Sequence, residues 1–176
     1  ATMNNRGPLG VLLVNLGTPD APTRSAVARY LKQFLLDKRV IDYPWLVRQI
    51  VVRGIIVPFR SGNSAKLYKE LWTEKGSPIK VYGEKLQDGV QDILGSDYLV
   101  ELAMRYQHPS IERAIERLLD QSVRGIIVLP LFPQYASATT GSILEEVGKV
   151  LLKEEGIPAV HTVHSYPEWQ EMIDVF

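Results

Sequence analysis

From Tyr135 to Ser142 the chain reads Tyr-Ala-Ser-Ala-Thr-Thr-Gly-Ser. Ser137, Thr139, Thr140 and Ser142 carry hydroxyls, and the rest, Tyr135 apart, are alanine or glycine. Small side chains let a backbone come close to a ligand, and hydroxyls can donate to it. Ser142 and Glu145 have the S-x-x-E spacing of a capping box, which predicts a helix starting at Ser142. The free N–H groups of such a helix end favour an anion, a carboxylate or a phosphate. The same composition also serves a loop that only caps a helix. Two further segments share the setting of strand end followed by helix start: "NLGTPD" (15–20) and "RYQHPS" (105–110).

The remaining chemistry-bearing residues are few. His161 and His164 lie three apart, and flanking Val160 and Val163 argue for a strand, which turns them to opposite faces. His108 precedes Pro109 at a strand end, where a hydrogen-bonded structural histidine competes with a ligand role. No Ser-His-Asp arrangement is suggested. The chain has no cysteine, which removes disulfides, thiolate catalysis and Cys-ligated metals, iron–sulfur clusters included. Neither GxxxxGK[ST] nor GxGxxG occurs, and "GTPD" is too short to wrap a pyrophosphate, so nucleotide binding is disfavoured.

The elements that must position these residues alternate. "GVLLVNLG" (10–17) is a continuous apolar run, as in a strand buried on both faces of a parallel sheet. Thr23 is a candidate N-cap for a helix with Val27, Tyr30, Leu31, Phe34 and Leu35 at helical spacing. Strands are predicted at 98–106, 125–131 and 158–166. Ile111, Ala114, Ile115, Leu118 and Leu119 form one stripe of a helix between the first two of these. A helix from Ser142 to near Gly156 follows, and another begins in "PEWQEMIDVF". Strand–helix alternation means βαβ units and a parallel sheet. The fold class is α/β: a Rossmann-like, parallel four-stranded sheet flanked by helices. Residues 1–9 are read as a tail and residues 10–176 as one α/β domain. The pattern stops inside a helix, as in a piece of a longer chain.

The 20 basic and 20 acidic residues cancel, but unevenly. Residues 38–85 carry +6 and residues 86–176 carry −8. A basic middle attracts anions: a carboxylate ligand, a phospholipid surface or nucleic acid. Within it, residues 40–60 are mostly apolar, and as a helix they would carry a polar stripe of Arg48, Gln49 and Arg53. Such a helix is either buried all round or lies against a membrane, and it is too short to span one.

"GVLLVNLGTPD", "LWTEKGSPIKVY", "AMRYQHPSI" and above all "LPLFPQYASATTGS" resemble the ferrochelatase family, in its bacterial form, in order from Gly10 to Tyr166. The resemblance implies the amino-terminal half of an enzyme that inserts ferrous iron into protoporphyrin IX in haem synthesis. In that family two Rossmann-like halves enclose a porphyrin cleft. The metal-handling histidine motif lies beyond Phe176 and its acidic partner further on, and "VHSYP" is not that motif. The resemblance thus implies no catalytic residue, bound metal or cofactor in this chain, with iron a substrate, and predicts that the chain alone is inactive. It places Leu16, Gly17, Thr18 and Pro19 beside the macrocycle. Arg60, Tyr68 and Ser77 fall near its propionates or the cleft mouth. Arg105, Tyr106, Phe132, Gln134, Tyr135, Ser137, Thr139 and Thr140 line the cleft. Trp45, Leu46 and Ile50 belong to an apolar lip against the membrane, which also invites self-association through residues 40–60. No nucleic-acid partner is implied, and the expected location is cytoplasmic with membrane association. The alternatives are a chelatase for another tetrapyrrole or metal, and a non-catalytic module binding porphyrin or anionic lipid. A reading frame continuing by about 150 residues would favour the enzyme.

Overall fold

The computed structural model describes residues 7–174. The strands are β1 (Leu9–Gly17), β2 (Tyr98–Tyr106), β3 (Gly125–Pro130) and β4 (Ala159–Thr162). The helices are α1 (Arg24–Leu35), α2 (Trp45–Ile50), α3 (Val57–Leu71), α4 (Pro78–Leu94), α5 (Ile111–Asp120), α6 (Ser142–Leu151) and α7 (Gln170–Ile173). They fall into two compact units. One comprises residues up to Leu16, Lys85–Arg105 and Pro109 onward; the other comprises Gly17–Glu84 and Tyr106–His108.

The first unit holds a four-stranded parallel sheet in the order β2-β1-β3-β4. Leu9 pairs with Gly125 and Val14 with Pro130, while Gly125 pairs with Ala159 and Val128 with Thr162. This is the predicted α/β class. Leu12 and Val14 of β1 enter one core with Ile126 and Val128 of β3, Ile115 and Leu118 of α5, and Ile143 and Val147 of α6. Val11 and Leu13 enter the other, with Leu102 and Met104 of β2 and with Val90 and Leu94 of α4. A strand buried on both faces has no polar alternation, which is why β1 reads as an unbroken apolar run. Each buried leucine contributes roughly 1.5–3 kcal/mol by leaving water.

Helix α4 had no counterpart in the sequence reading. It carries two interior glycines, Gly83 and Gly89, each costing about 1 kcal/mol relative to alanine. Its Ile79, Tyr82, Leu86 and Ile93 are exposed, so its visible stripe is not its packed face. Val90 and Leu94 pack on the core, and beside them Gln87 and Gln91 bond to β2: their amide nitrogens donate to the carbonyls of Val100 (2.9 Å) and Tyr98 (3.0 Å). The Val100 N–H donates back to the Gln91 carbonyl oxygen at 2.9 Å. β2 is an edge strand, and these side chains satisfy the backbone groups a foreign strand would seek.

In the second unit α1 packs on α3. Thr23 caps α1 as predicted, accepting from the Ala26 N–H. Tyr30 stacks on Phe34 (6.0 Å) and meets Tyr68 edge-on (6.3 Å), and Phe34 meets the Tyr106 ring at 5.3 Å. Gly17 has φ 117°, and a Cβ there would collide with the Tyr106 carbonyl oxygen. Only glycine fits that position.

Residues 45–71 form consecutive helical segments: α2, a π-helical stretch Val51–Ile56, and α3. Pro58, which lacks an N–H, sits where the wide turn returns to α register. Burial all round, one of the two expectations for residues 40–60, is not found. Trp45, Leu46, Ile50, Ile55 and Phe59 are all more than half exposed. Arg48, assigned to the polar stripe, is instead buried and donates to the carbonyls of Ile41 and Tyr43, both at 3.2 Å. Among the described residues no helix is long and apolar enough to cross a membrane.

Candidate functional site

Two hollows gather the residues singled out in the sequence, one in each unit. In the second unit a recess of about 280 Å³ is lined by Thr18, Pro19, Asp20, Trp72, Lys75, Gly76, Ser77, Lys80 and His108. Thr18 and Ser77 are buried, with their hydroxyl oxygens 2.8 Å apart. Gly76 closes a tight turn: Thr73 and Gly76 exchange backbone hydrogen bonds of 3.0 Å. Its φ of 114° requires glycine. The turn delivers Ser77 to the start of α4, whose first N–H groups add partial positive charge to that of Lys75 and Lys80. His108 is largely exposed, with Nδ1 3.2 Å from Asp20. The recess can therefore receive an anionic group beside an indole face.

Other predicted residues of this unit lie elsewhere. Arg60 is exposed on α3, and Tyr68 is half-buried in the aromatic cluster, where burial pushes its phenol up. Tyr106 is fully buried, and its hydroxyl donates to Asp37 Oδ2 at 2.8 Å. The Tyr106 side chain supports the aromatic cluster from inside and has no exposed face.

In the first unit a cavity of about 650 Å³ lies beside the loop after β3. Phe132, Pro133, Gln134, Tyr135, Ala136, Thr139, Pro167 and Ile173 line it. In open α/β sheets ligands bind outside the carboxyl ends of the strands, at the point where the crossovers reverse. Here β1 lies between β2 and β3, so that point falls at β1 and β3. Tyr166 and Ser165 hold the loop: the Tyr166 hydroxyl donates to the Pro130 carbonyl (2.9 Å), its N–H to the Pro133 carbonyl (2.8 Å), and Ser165 Oγ to the same carbonyl (3.2 Å). Burial pushes the Tyr166 phenol up, which keeps it a neutral donor. The Tyr135 ring is half exposed, 6.4 Å from the His164 ring.

The start of α6 differs from the expectation. Gly141 already has helical dihedrals, and Ser137–Gly141 form a π turn running into the helix. Ser142 is thus an interior residue, and the free helix end expected there does not exist. Thr139, Gly141 and the Thr139 hydroxyl all donate to the Ala136 carbonyl, at 3.2, 3.1 and 3.4 Å. Thr140 is fully buried, and its hydroxyl has no hydrogen-bond partner among the described residues. Ser137 is exposed. Of the three hydroxyls expected to form a polar pocket only Thr139 lines the cavity, whose wall is mainly apolar.

Arg105 at the end of β2 is mostly buried. Its Nε donates to Ser142 Oγ at 2.7 Å and to the Ser142 carbonyl at 3.1 Å, and its Nη2 lies 3.7 Å from Glu146. Among the described residues no group of three or more His, Asp or Glu side chains is placed to hold a metal ion. Trp72, Lys80, Pro167 and Ile173 escaped the sequence reading. The signal for Lys80 was available, since it follows Ser77 by three residues and so shares the first turn of α4.

A family model described as ferrochelatase matches residues 8–176. The chain is 46% identical over 169 residues to the ferrochelatase of Hamiltonella defensa, covering 96% of this chain and 53% of that protein. It is 54% identical over 145 residues to that of Coxiella burnetii, covering 82% and 41%. To that of Actinobacillus pleuropneumoniae it is 48% identical over 165 residues, covering 92% and 52%. The chain spans about half the length of the curated relatives it matches.

Proposed function

We propose that this chain, which belongs to the ferrochelatase family, is a porphyrin-holding part of an enzyme that inserts ferrous iron into protoporphyrin IX. The observation that carries the reading is the apolar cavity at the carboxyl end of β3. Porphyrin is a flat, apolar ring, and Phe132, Tyr135 and the proline and alanine around them supply faces for it. The recess with Lys75, Lys80 and Ser77 has the donors that a carboxylate needs. Among the described residues, those lining the cavity include no carboxylate and no imidazole. Metal insertion requires a base for two pyrrole N–H protons. The chain by itself therefore binds porphyrin and does not insert iron.

The test is a quenching titration of tryptophan fluorescence with protoporphyrin IX, beside a turnover assay with ferrous iron. Saturable binding that is weakened by Ala136→Trp, which fills the cavity, supports the reading. Full affinity in that variant moves the porphyrin elsewhere, and turnover by the chain alone makes His164, beside Tyr135, the first suspect.

The exposed Trp45, Leu46, Ile50 and Phe59 favour a further part of the reading. A helix that turns an apolar face outward beside basic residues such as Arg53 and Arg60 rests on a membrane surface or, in its absence, on a second copy of itself. On this reading the whole enzyme works in the cytoplasm, associated with a membrane surface. Cosedimentation with vesicles containing anionic lipid, weakened by Trp45→Ser with Ile50→Ser, is the expected result. A monomer indifferent to vesicles would contradict it.

A further inference from the structure

We propose that Arg105 is a positioning residue that sets the cavity wall by clamping the π turn Ser137–Gly141, and does not itself bind the ligand; this rests on the cavity being the porphyrin site. The residue at the carboxyl end of a strand is the natural candidate to touch a ligand, and an arginine there is the natural partner of a carboxylate. The geometry directs this arginine inward. Its Nε is shared between the Ser142 hydroxyl (2.7 Å) and the Ser142 carbonyl (3.1 Å). Its Nη2 approaches Glu146 one helical turn later. Ser142 and Gly141 are buried, as is Thr140 before them. Arg105 is also absent from the cavity lining.

The clamp answers a local need. Ser142 is the first residue after the π turn, where the wide five-residue hydrogen-bond spacing gives way to the regular α-helix. The Arg105 guanidinium ties the carbonyl and the hydroxyl of that residue to the end of β2 with charged donors. The π turn in turn sets where Ala136 and Thr139 stand, since Thr139 and Gly141 both hang from the Ala136 carbonyl. These are the two small residues of the cavity wall. With the clamp released, the turn relaxes toward α register and the wall shifts.

Two porphyrins separate this role from direct binding. Protoporphyrin IX carries two carboxylates, and etioporphyrin, presented in detergent, carries none. Arg105→Ala should weaken both by the same factor, roughly tenfold given the two charged hydrogen bonds lost. Ser142→Ala, at a residue that lines nothing, should reproduce a smaller loss on both, and Arg105→Lys should restore part of it. A loss confined to the dicarboxylate would make Arg105 a direct ligand and overturn the proposal. So would unchanged affinity for both porphyrins in Arg105→Ala. Hydrogen exchange of the 136–146 amides is read in parallel without porphyrin. Faster exchange there in Arg105→Ala, with the amides of β1 unaffected, is expected. Unaltered protection of 136–146 would refute the clamp, whatever porphyrin does. If the wild-type chain binds no porphyrin, the cavity reading fails while the exchange result still decides the clamp.

Discussion

Replacing Thr140 by valine should stabilise this protein, although the residue stands in the most hydroxyl-rich segment of its candidate site. The side chain is fully buried and its hydroxyl has no partner among the described residues. An unsatisfied buried hydroxyl costs about 1–3 kcal/mol. Valine has nearly the same shape, puts a methyl group where the hydroxyl was, and keeps the β-branch. The exchange is ordinarily unfavourable because it removes a hydrogen bond, and here there is none to remove. We expect a gain of roughly 1–2 kcal/mol, which for a chain of this length raises Tm by about 3–6 °C. Thermal unfolding followed by circular dichroism measures it, with Thr140→Ser as control. Serine keeps the hydroxyl, loses the buried methyl and should lower Tm. Thr139→Val should scarcely change Tm, because the hydrogen bond it removes is long, at 3.4 Å. Porphyrin affinity should be unaltered in Thr140→Val, since the side chain does not face the cavity. A lower Tm for Thr140→Val would show that the hydroxyl is satisfied and the reasoning mistaken.

Gly17→Ala should lower stability by at least about 2 kcal/mol in urea titration, from a left-handed φ and a Cβ directed onto the Tyr106 carbonyl. Tyr106→Phe removes a buried donor to a carboxylate and should cost about 1.5–3 kcal/mol by the same measurement. Gln91→Leu uncovers the β2 edge, and light scattering should register aggregation that increases with protein concentration. At alkaline pH the sign follows from Tyr30, whose phenol is pushed well up by burial first and by Tyr68 second. The unfolded chain releases that proton near pH 10, so stability is intact below pH 10 and falls as pH rises above it. Tyr30→Phe should flatten that alkaline decline in denaturant titrations taken at successive pH values.

The sheet was legible because its strands must shed water on both faces. Val11 and Leu13 serve one core and Leu12 and Val14 the other, and no polar residue interrupts them. Helix α5 was legible for the converse reason, one packed face and one wet one. The site was legible only as a set of addresses. The loop after β1 borders one hollow and the loop after β3 the other, as strand ends in α/β folds commonly do. The direction of individual side chains was not legible. Ser142 and Glu145 have capping-box spacing, yet the helical path begins upstream at Ser137. That choice depends on the junction that Arg105 stabilises from 37 residues away.

Tyr106, Arg105 and Arg48 behave alike. The sequence suggests a ligand wall for the first two and a polar stripe for the third, and each turns its polar atoms into the protein. The physical reason is common to all three. A long side chain with hydrogen-bond donors can satisfy a ligand or a strained backbone equally well, and the sequence specifies the donor without its acceptor. The acceptors here are the Ser142 and Ile41 carbonyls and the Asp37 carboxylate, none adjacent in sequence to its donor. Residues that hold irregular backbone and residues that hold ligand are drawn from the same short inventory. Both concentrate at the ends of strands. In this fold the π stretch Ser137–Gly141 and the tight turn at Gly76 each border a hollow. Their internal supports therefore imitate a binding site in the sequence. The substitutions that distinguish the two are those that remove a donor without touching a cavity wall, as Ser142→Ala and Tyr106→Phe do.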